Sequence, residues 1–231
     1  MNRPMDNRNI RTGKHDKGRR TAGHILEQAT RVLTRYGYSQ FSLRRVARAA
    51  DVTLGNLQYY YPTKSDLVEA MLGHVITGYI EEFNRLMAAV EGGPEEQLAA
   101  VLSHVIRDLT SPRTTVLFPE LWSMANHDPA VERYVEDMYE TYRRIVAGLI
   151  PRINPRLTPR QVRLLTLFIT SSIEGHTPFT GHGKCWEFLT PDIETLAIRT
   201  FLELIESGEV PEAPATEPSE TSLQRQETTV S

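Results

Sequence analysis

Apolar residues repeat with the period of an α-helix almost everywhere after residue 20, and this feature constrains the fold of the chain more than any other. Ile25, Ala29, Val32, Leu33 and Tyr36 form one such stripe. No stretch shows the sustained alternation of apolar and polar residues that predicts a half-buried strand. The sequence therefore predicts an all-α fold of about nine helices.

Capping residues and helix breakers predict where the first four helices begin and end. Gly37 supplies a left-handed stop after the first helix, and Ser42 is a good N-cap for a short second helix. Thr53 can cap a third helix, and Thr63 can cap a fourth that runs to about Val90. Further helices are expected at about 94–110, 115–126, 128–150, 158–175 and 190–207.

The second and third helices, joined by the tight turn "ADV", have the layout of a helix-turn-helix. At about 100° per residue, Leu57 and Tyr61 share the inner face of the third helix. The outer face then carries small and hydrogen-bonding residues, namely Gly55, Asn56, Gln58, Tyr59 and Tyr60. Tyrosine hydroxyls can donate to phosphates, and Asn and Gln amides can pair with base edges. This face is a candidate surface for contacting DNA.

Charge is distributed unevenly along the chain. Residues 1–64 hold 13 Lys and Arg against 4 Asp and Glu, whereas the remainder holds 13 against 25. A basic segment attached to an acidic body indicates that one end contacts a polyanion. Lys64 begins the fourth helix, where the free N–H groups also favour a phosphate. Arg44 and Arg45 flank the start of the second helix and are expected to hold the other side of the groove.

The segment "FSLRRVARAADVTLGNLQYYYPTKSDLVEAML", with the preceding "RTAGHILEQATRVLTRYGY", resembles the DNA-binding domain of the TetR family of bacterial transcriptional regulators. The resemblance covers residues 18–75 and departs from the family pattern at Tyr60, where a histidine is frequent. It implies an all-α homodimer whose C-terminal helices bind a ligand and dimerise. The DNA contacts that it implies are at Thr53, Leu54, Gly55, Asn56, Gln58, Tyr59, Tyr60 and Lys64.

These features divide the chain into four expected parts. Residues 1–17 form a basic flexible arm, residues 18–64 the helix-turn-helix domain, and residues 65–207 the effector-binding and dimerisation domain. Residues 208–231 are rich in Pro, Glu, Ser and Thr and hold few apolar residues, which predicts a disordered tail.

Two late helices carry apolar faces that the resemblance assigns to a four-helix dimer interface. The residues expected there are Leu165, Ile169, Ile173, Ala197, Phe201 and Leu204. Ordinary core packing produces the same periodicity, so the pattern alone leaves both interpretations open.

The segment between residues 118 and 144 is unusually aromatic, and it predicts a cavity for an apolar or aromatic effector. The expected lining residues are Phe118, Trp122, Met138, Tyr139, Tyr142 and Phe168. Each of these side chains taken alone is better explained by core packing than by ligand contact.

The loop "EGHTPFTGHGKC" matches no catalytic or metal-binding motif. It lacks the first glycine of a phosphate-binding loop and the Ser or Thr that follows its lysine. His176, His182 and Cys185 lack the paired spacing of a metal site, and Cys185 lacks an activating partner for redox chemistry. H-E-x-x-H, G-x-S-x-G and Rossmann glycine patterns are also absent. The sequence therefore predicts neither an enzyme nor a bound metal or cofactor.

The single cysteine suits a reducing compartment, and no apolar run approaches the roughly 20 residues of a membrane span. The protein is therefore expected to be cytoplasmic. Its predicted function is that of a dimeric repressor released from a palindromic double-stranded operator by a small molecule. The alternatives are a DNA-binding regulator switched by a partner protein, an activator and, more remotely, an all-α enzyme.

Overall fold

The computed structural model describes residues 7–211, with side chains described from Gly18 onward. This part of the chain contains ten α-helices and no strand, so the all-α prediction is confirmed. The helices are α1 Asn7–Tyr36, α2 Leu43–Ala49, α3 Leu54–Tyr60, α4 Lys64–Ala89, α5 Pro94–Leu109, α6 Pro112–Ala125, α7 Pro129–Ile153, α8 Pro159–Glu174, α9 Thr177–Thr180 and α10 Thr190–Ser207. Single 3₁₀ turns lie at Tyr38–Gln40 and Glu187–Leu189.

The predicted caps of α2, α3 and α4 are all formed. Ser42 Oγ accepts a hydrogen bond from Arg45 N, and Thr53 Oγ1 accepts one from Asn56 N at 3.1 Å. Thr63 forms a complete capping box at the start of α4. Gly37 follows α1 with a φ of 71°, a region in which a side chain is strained. Local hydrogen bonding thus fixes the short helices where the sequence predicts them.

Two helix boundaries differ from the predicted ones. Helix α6 begins at Pro112 rather than near 115, because Ser111 Oγ caps it and a proline fits the first helical turn. Helix α7 continues through Pro151 to Ile153, where Asn154 N still donates to Ile150 O. The expected arm of residues 1–17 overlaps the first turns of α1 and otherwise lies outside the described residues, as does the expected tail beyond residue 211.

Two apolar clusters organise the helices. One joins α1–α4 to α6 and the first half of α7, with Leu57, Leu67 and Leu117 fully buried. The other joins the end of α4 to α5, α7, α8 and α10, with Ile150 and Ile169 fully buried. The first cluster crosses from the N-terminal helices into α6 and α7, so the helix-turn-helix and the body share one apolar core. None of the described helices is long and apolar enough to cross a membrane.

Candidate DNA-binding surface and effector cavity

Helix α3 is held by the inner-face residues that the sequence predicts. Leu57 is fully buried beneath the helix. Tyr61, which follows the last turn, donates from its hydroxyl to Ala22 O of α1 at 3.3 Å. These two contacts fix which face of α3 is turned outward.

The outward face of α3 is polar and open to solvent. Gly55, Asn56 and Gln58 are exposed, and Tyr59 keeps 80% of its surface exposed. A Cβ added at Gly55 would meet no atom within 4 Å, so packing inside the chain does not require a glycine there. Tyr60 differs from the prediction, since it is partly buried with its hydroxyl beside Gly18 of α1. Its ring lies only about 60° around the helix from Leu57, which turns it toward the core.

The predicted capping and flanking residues lie at the ends of this face. Thr53 is exposed and uses its hydroxyl to cap α3, while Leu54 is partly buried. Arg44 is exposed at the start of α2. The guanidinium of Arg45 lies 4.5 Å from the centroid of the Tyr36 ring. Arg45 also donates from Nη1 to Gln40 Oε1 at 2.9 Å, and a contact of either arginine with DNA stays a prediction.

Lys64 occupies a defined position at the first residue of α4. Its Nζ lies 3.8 Å from the centroid of the Tyr38 ring and donates to Tyr38 O at 3.5 Å. Partial burial lowers the pKa of its ammonium. The side chain is therefore held against the turn after α1 rather than extended into solvent.

A cavity opens in the body between α4, α5, α6, α7 and α8. It contains about 450 Å³ of space free of protein atoms, including its mouth. Its wall is mainly aromatic and aliphatic, with two carboxylates and one imidazole. The lining residues are Tyr79, Phe83, His104, Val105, Asp108, Leu109, Thr114, Phe118, Met138, Tyr139, Tyr142 and Glu174.

Four of the six predicted lining residues belong to this wall: Phe118, Met138, Tyr139 and Tyr142. Trp122 stands behind it and donates from Nε1 to Tyr139 Oη at 2.9 Å. Phe168 does not line the cavity and is half exposed on α8. Six residues, or about 240° of helix, separate it from Glu174, so the two side chains leave α8 on different sides.

The charged members of the wall were missed by the sequence analysis. Asp108 and Glu174 come from α5 and α8, far from the aromatic segment in the chain. Glu174 Oε2 accepts a hydrogen bond from Tyr139 Oη at 3.2 Å. Burial, and secondarily the charge of Asp108, raises the pKa of Glu174 to about 7, although the Tyr139 hydrogen bond opposes this. The only available sequence signal was an acidic residue near the end of each apolar helix.

Hydroxyl groups complete the polar part of the wall. Asp108 Oδ2 accepts from Thr114 Oγ1 at 2.8 Å, and that hydroxyl lies 3.0 Å from Tyr79 Oη. Tyr142 Oη is buried and has no hydrogen-bond partner among the described residues. A buried polar atom without a partner is costly, and this hydroxyl is therefore available to hydrogen-bond to a molecule in the cavity.

The electrostatic character of the cavity favours a positively charged guest. Five aromatic rings and two carboxylates face it, and its described lining contains no Lys or Arg. Ring faces attract cations, and a carboxylate in a partly dry site does so more strongly. The arrangement can therefore hold a small cation with an apolar body.

The predicted interface residues divide into two groups. Leu165, Ile169, Ile173 and Phe201 are buried in the core of a single chain, so for them the core-packing alternative applies. Ala197 and Leu204 are only partly buried. The apolar side chains that α8 and α10 leave exposed are instead Leu167, Phe168 and Leu196, each 50–55% exposed. These three residues are termed the α8/α10 face below.

The loop after α8 shows no site. Cys185 is exposed, and His182 Nδ1 lies 3.4 Å from Glu187 Oε1. Over the described range, no group of three or more His, Cys, Asp or Glu residues is arranged to hold a metal ion.

Known protein families match both the N-terminal and the C-terminal part of the chain. Residues 25–71 match the bacterial regulatory proteins of the tetR family, and residues 94–180 match the C-terminal domain of BetI-type transcriptional repressors. The HTH-type transcriptional regulator BetI of Burkholderia thailandensis is 25% identical over 155 residues, which cover 65% of this chain and 76% of that protein.

Solved structures share the fold at lower identity. A putative transcriptional regulator from Saccharomonospora viridis in complex with choline superposes with a TM-score of 0.64 at 16% identity, covering 83% of this chain and 98% of that one. FadR from Bacillus subtilis in complex with stearoyl-CoA gives 0.60 at 19% identity, covering 80% and 97%. The chain therefore belongs to the TetR family, and it is a DNA-binding transcriptional regulator similar to BetI-type repressors rather than an enzyme.

Proposed function

We propose that the protein is a homodimeric cytoplasmic repressor that leaves a two-fold symmetric operator when a small organic cation binds in the cavity. The observation that carries the choice of effector is the wall itself, in which five aromatic rings and the Glu174 carboxylate line one cavity. This narrows the effector predicted from sequence, an apolar or aromatic molecule, to one that also carries a positive charge.

The size and chemistry of the cavity support this class of effector. The cavity is narrow and its wall is mainly apolar, so it suits a small molecule rather than a long one. The Phe83 and Tyr142 rings stack with centroids 5.7 Å apart, and Phe118 packs against Tyr139. These rings can surround an alkylammonium group, while Glu174 balances its charge.

The comparisons are consistent with a cationic effector without deciding it. The Saccharomonospora viridis regulator was solved with choline, whereas FadR was solved with stearoyl-CoA, a far larger ligand. The fold alone therefore does not choose the ligand. The BetI-type match over residues 94–180 covers most of the cavity wall.

A cavity in the body also favours a small-molecule effector over a regulator that is switched by a partner protein. In the proposed mechanism, the effector stabilises a separation of the two α3 helices that does not fit successive major grooves. The α8/α10 face supplies the dimer contact, because an apolar patch on a two-fold axis meets its own copy.

A pair of isosteric ligands tests the effector class. Choline and 3,3-dimethyl-1-butanol have nearly the same shape, but only choline carries a charge. Isothermal titration calorimetry of the wild-type protein should detect choline binding and no binding of the neutral alcohol. Equal affinities for the two would contradict the cation proposal, and a protein that binds neither would favour the partner-switched alternative.

A second prediction concerns the backbone of α3. Gly55→Ala should lower operator affinity several-fold, because the added methyl group meets DNA where nothing in the chain occupies that space. It should not destabilise the protein, since alanine is favoured over glycine in a helix by up to about 1 kcal/mol. Fluorescence anisotropy with an operator selected from random duplexes measures the affinity, and thermal unfolding measures the stability.

Gly148→Ala is the matched control. Gly148 is an exposed glycine inside α7, and a Cβ there would also meet no atom within 4 Å. This variant should gain the same small stability and keep wild-type operator affinity. If Gly55→Ala bound the operator as tightly as Gly148→Ala, the close approach of this backbone to DNA would be refuted.

A further inference from the structure

Glu120 of α6 lies against the turn that follows α1. Its Oε2 accepts a hydrogen bond from Tyr38 N at 2.9 Å. A Cβ added at Gly37 would stand only 3.1 Å from Glu120 Oε1, so the carboxylate rests against bare backbone. A hydrogen bond to an ionised acceptor is stronger than a neutral one. Helix α6 is therefore hydrogen-bonded to the turn at Tyr38.

Tyr38 in turn holds Lys64. The ammonium lies over the Tyr38 ring, 3.8 Å from its centroid, and its Nζ is 3.5 Å from Tyr38 O. Both contacts are favourable for a cation. Tyr38 thus hydrogen-bonds to Glu120 of α6 through its backbone N–H, and it contacts Lys64 through its ring and its carbonyl oxygen.

From these contacts we propose that Glu120 is a positioning residue for DNA binding. Through Tyr38 it places the Lys64 ammonium where a DNA phosphate meets the N-terminus of α4. The inference rests on the proposed function, because it takes Lys64 as a phosphate contact. Glu120 itself does not touch DNA.

The sign of the effect separates this role from simple electrostatics. Removing a carboxylate near a DNA-binding surface raises the local positive potential and should strengthen binding. Loss of a positioning residue has the opposite effect, because Lys64 is then free to leave the phosphate. A weaker complex after removal of a negative charge is therefore diagnostic.

The same helix also contacts the cavity wall. Two residues beyond Glu120, Trp122 donates to Tyr139 Oη, and Tyr139 donates to Glu174. An effector that binds Glu174 is expected to change the hydrogen bonds that link Glu174, Tyr139 and Trp122 of α6.

Four variants test the proposal: Glu120→Ala, Glu120→Gln, Lys64→Ala and the double variant Glu120→Ala/Lys64→Ala. Anisotropy with the selected operator at a series of KCl concentrations gives the affinity and its salt slope. Glu120→Ala and Lys64→Ala should each weaken binding and flatten the slope by about one unit. The double variant should be no weaker than either single one. Glu120→Gln should keep nearly full affinity, because its amide oxygen still accepts from Tyr38 N.

Ser123→Ala, an exposed change on α6, serves as the control and should behave as wild type. Additive losses in the double variant would overturn the proposal, as would wild-type or tighter binding by Glu120→Ala or by Lys64→Ala. A folded fraction that is the same at every KCl concentration lowers the observed affinity but leaves the salt slope unchanged, so the slope then decides the matter even if a variant is less stable. A wild-type protein without preference for any duplex would contradict the proposed function itself.

Discussion

Leu167→Glu should convert the proposed dimer into folded monomers that bind the operator roughly 10²–10⁴-fold more weakly, because the avidity of two half-sites is lost. Leu167 is 55% exposed in one chain, so a glutamate there is harmless to a monomer. Across a two-fold axis it places two unpaired carboxylates in an apolar contact, which is expensive. Sedimentation velocity measures the association state, and circular dichroism measures the helical content.

Two further variants make this test specific. Val116→Glu changes an exposed apolar residue on α6 and should leave the protein dimeric. Phe201→Glu should unfold the chain instead, since Phe201 is only 6% exposed and packs in the core. A Leu167→Glu protein that remained dimeric with full operator affinity would place the interface elsewhere.

Glu174→Gln should weaken choline binding by roughly a hundredfold, because the aromatic cage would keep its shape but lose its counter-charge. The wild-type protein should show a matching pH dependence. Since the pKa of Glu174 is raised to about 7, the carboxylate is ionised above that pH and the cation binds at full strength. As the pH falls below 7, affinity should drop toward tenfold per unit.

Other ionisable side chains line the same cavity, namely Tyr79 from α4, His104 and Asp108 from α5, and Tyr139 and Tyr142 from α7. The pH dependence of choline affinity in Glu174→Gln therefore reports what these other groups contribute. It should be much weaker than in the wild-type protein. Glu206→Gln, an exposed change on α10, should reproduce wild-type binding at every pH. Calorimetry across about pH 5–9 measures the choline affinity of both variants, because this range is centred on the pKa of Glu174. An unchanged affinity in Glu174→Gln would remove the carboxylate from the site.

The same substitution has an opposite consequence for stability. The folded chain keeps a proton on Glu174 at pH values where the unfolded chain, with an ordinary pKa of 4.5, has released it. The proton on Glu174 adds to the free energy of unfolding. This contribution is complete below pH 4.5 and is lost as the pH rises through about 7. Glu174→Gln should therefore gain thermal stability relative to wild type between these limits and keep that gain above them. Binding and stability would then move in opposite directions, as expected for a residue retained for function.

The N-terminal helices were predictable because their determinants are local. Ser42, Thr53 and Thr63 cap helices within three residues of themselves, and Leu57 and Tyr61 define the inner face of α3 by spacing alone. Tyr60 was misplaced because helical spacing puts it near the border of that face, where packing against α1 decides. The outward group was otherwise located from the sequence.

The cavity and the interface depend on contacts between distant segments. Phe83, Asp108 and Glu174 converge from three helices, and no spacing in the sequence brings them together. The apolar stripes of α8 and α10 identified buried positions such as Ile169 correctly. They could not indicate whether the same chain or a second copy covers those positions. The α8/α10 face is defined by which apolar residues the same chain leaves exposed, and that depends on the packing of whole helices.

The reciprocal effect of operator and effector tests the central claim most directly. Anisotropy gives the operator affinity with and without saturating choline, and calorimetry gives the choline affinity with and without the operator. The proposed mechanism predicts that choline weakens operator binding and that the operator weakens choline binding by the same factor. The neutral isostere should leave operator affinity unchanged. An operator complex whose affinity is the same in choline as in buffer would contradict release by a small cation.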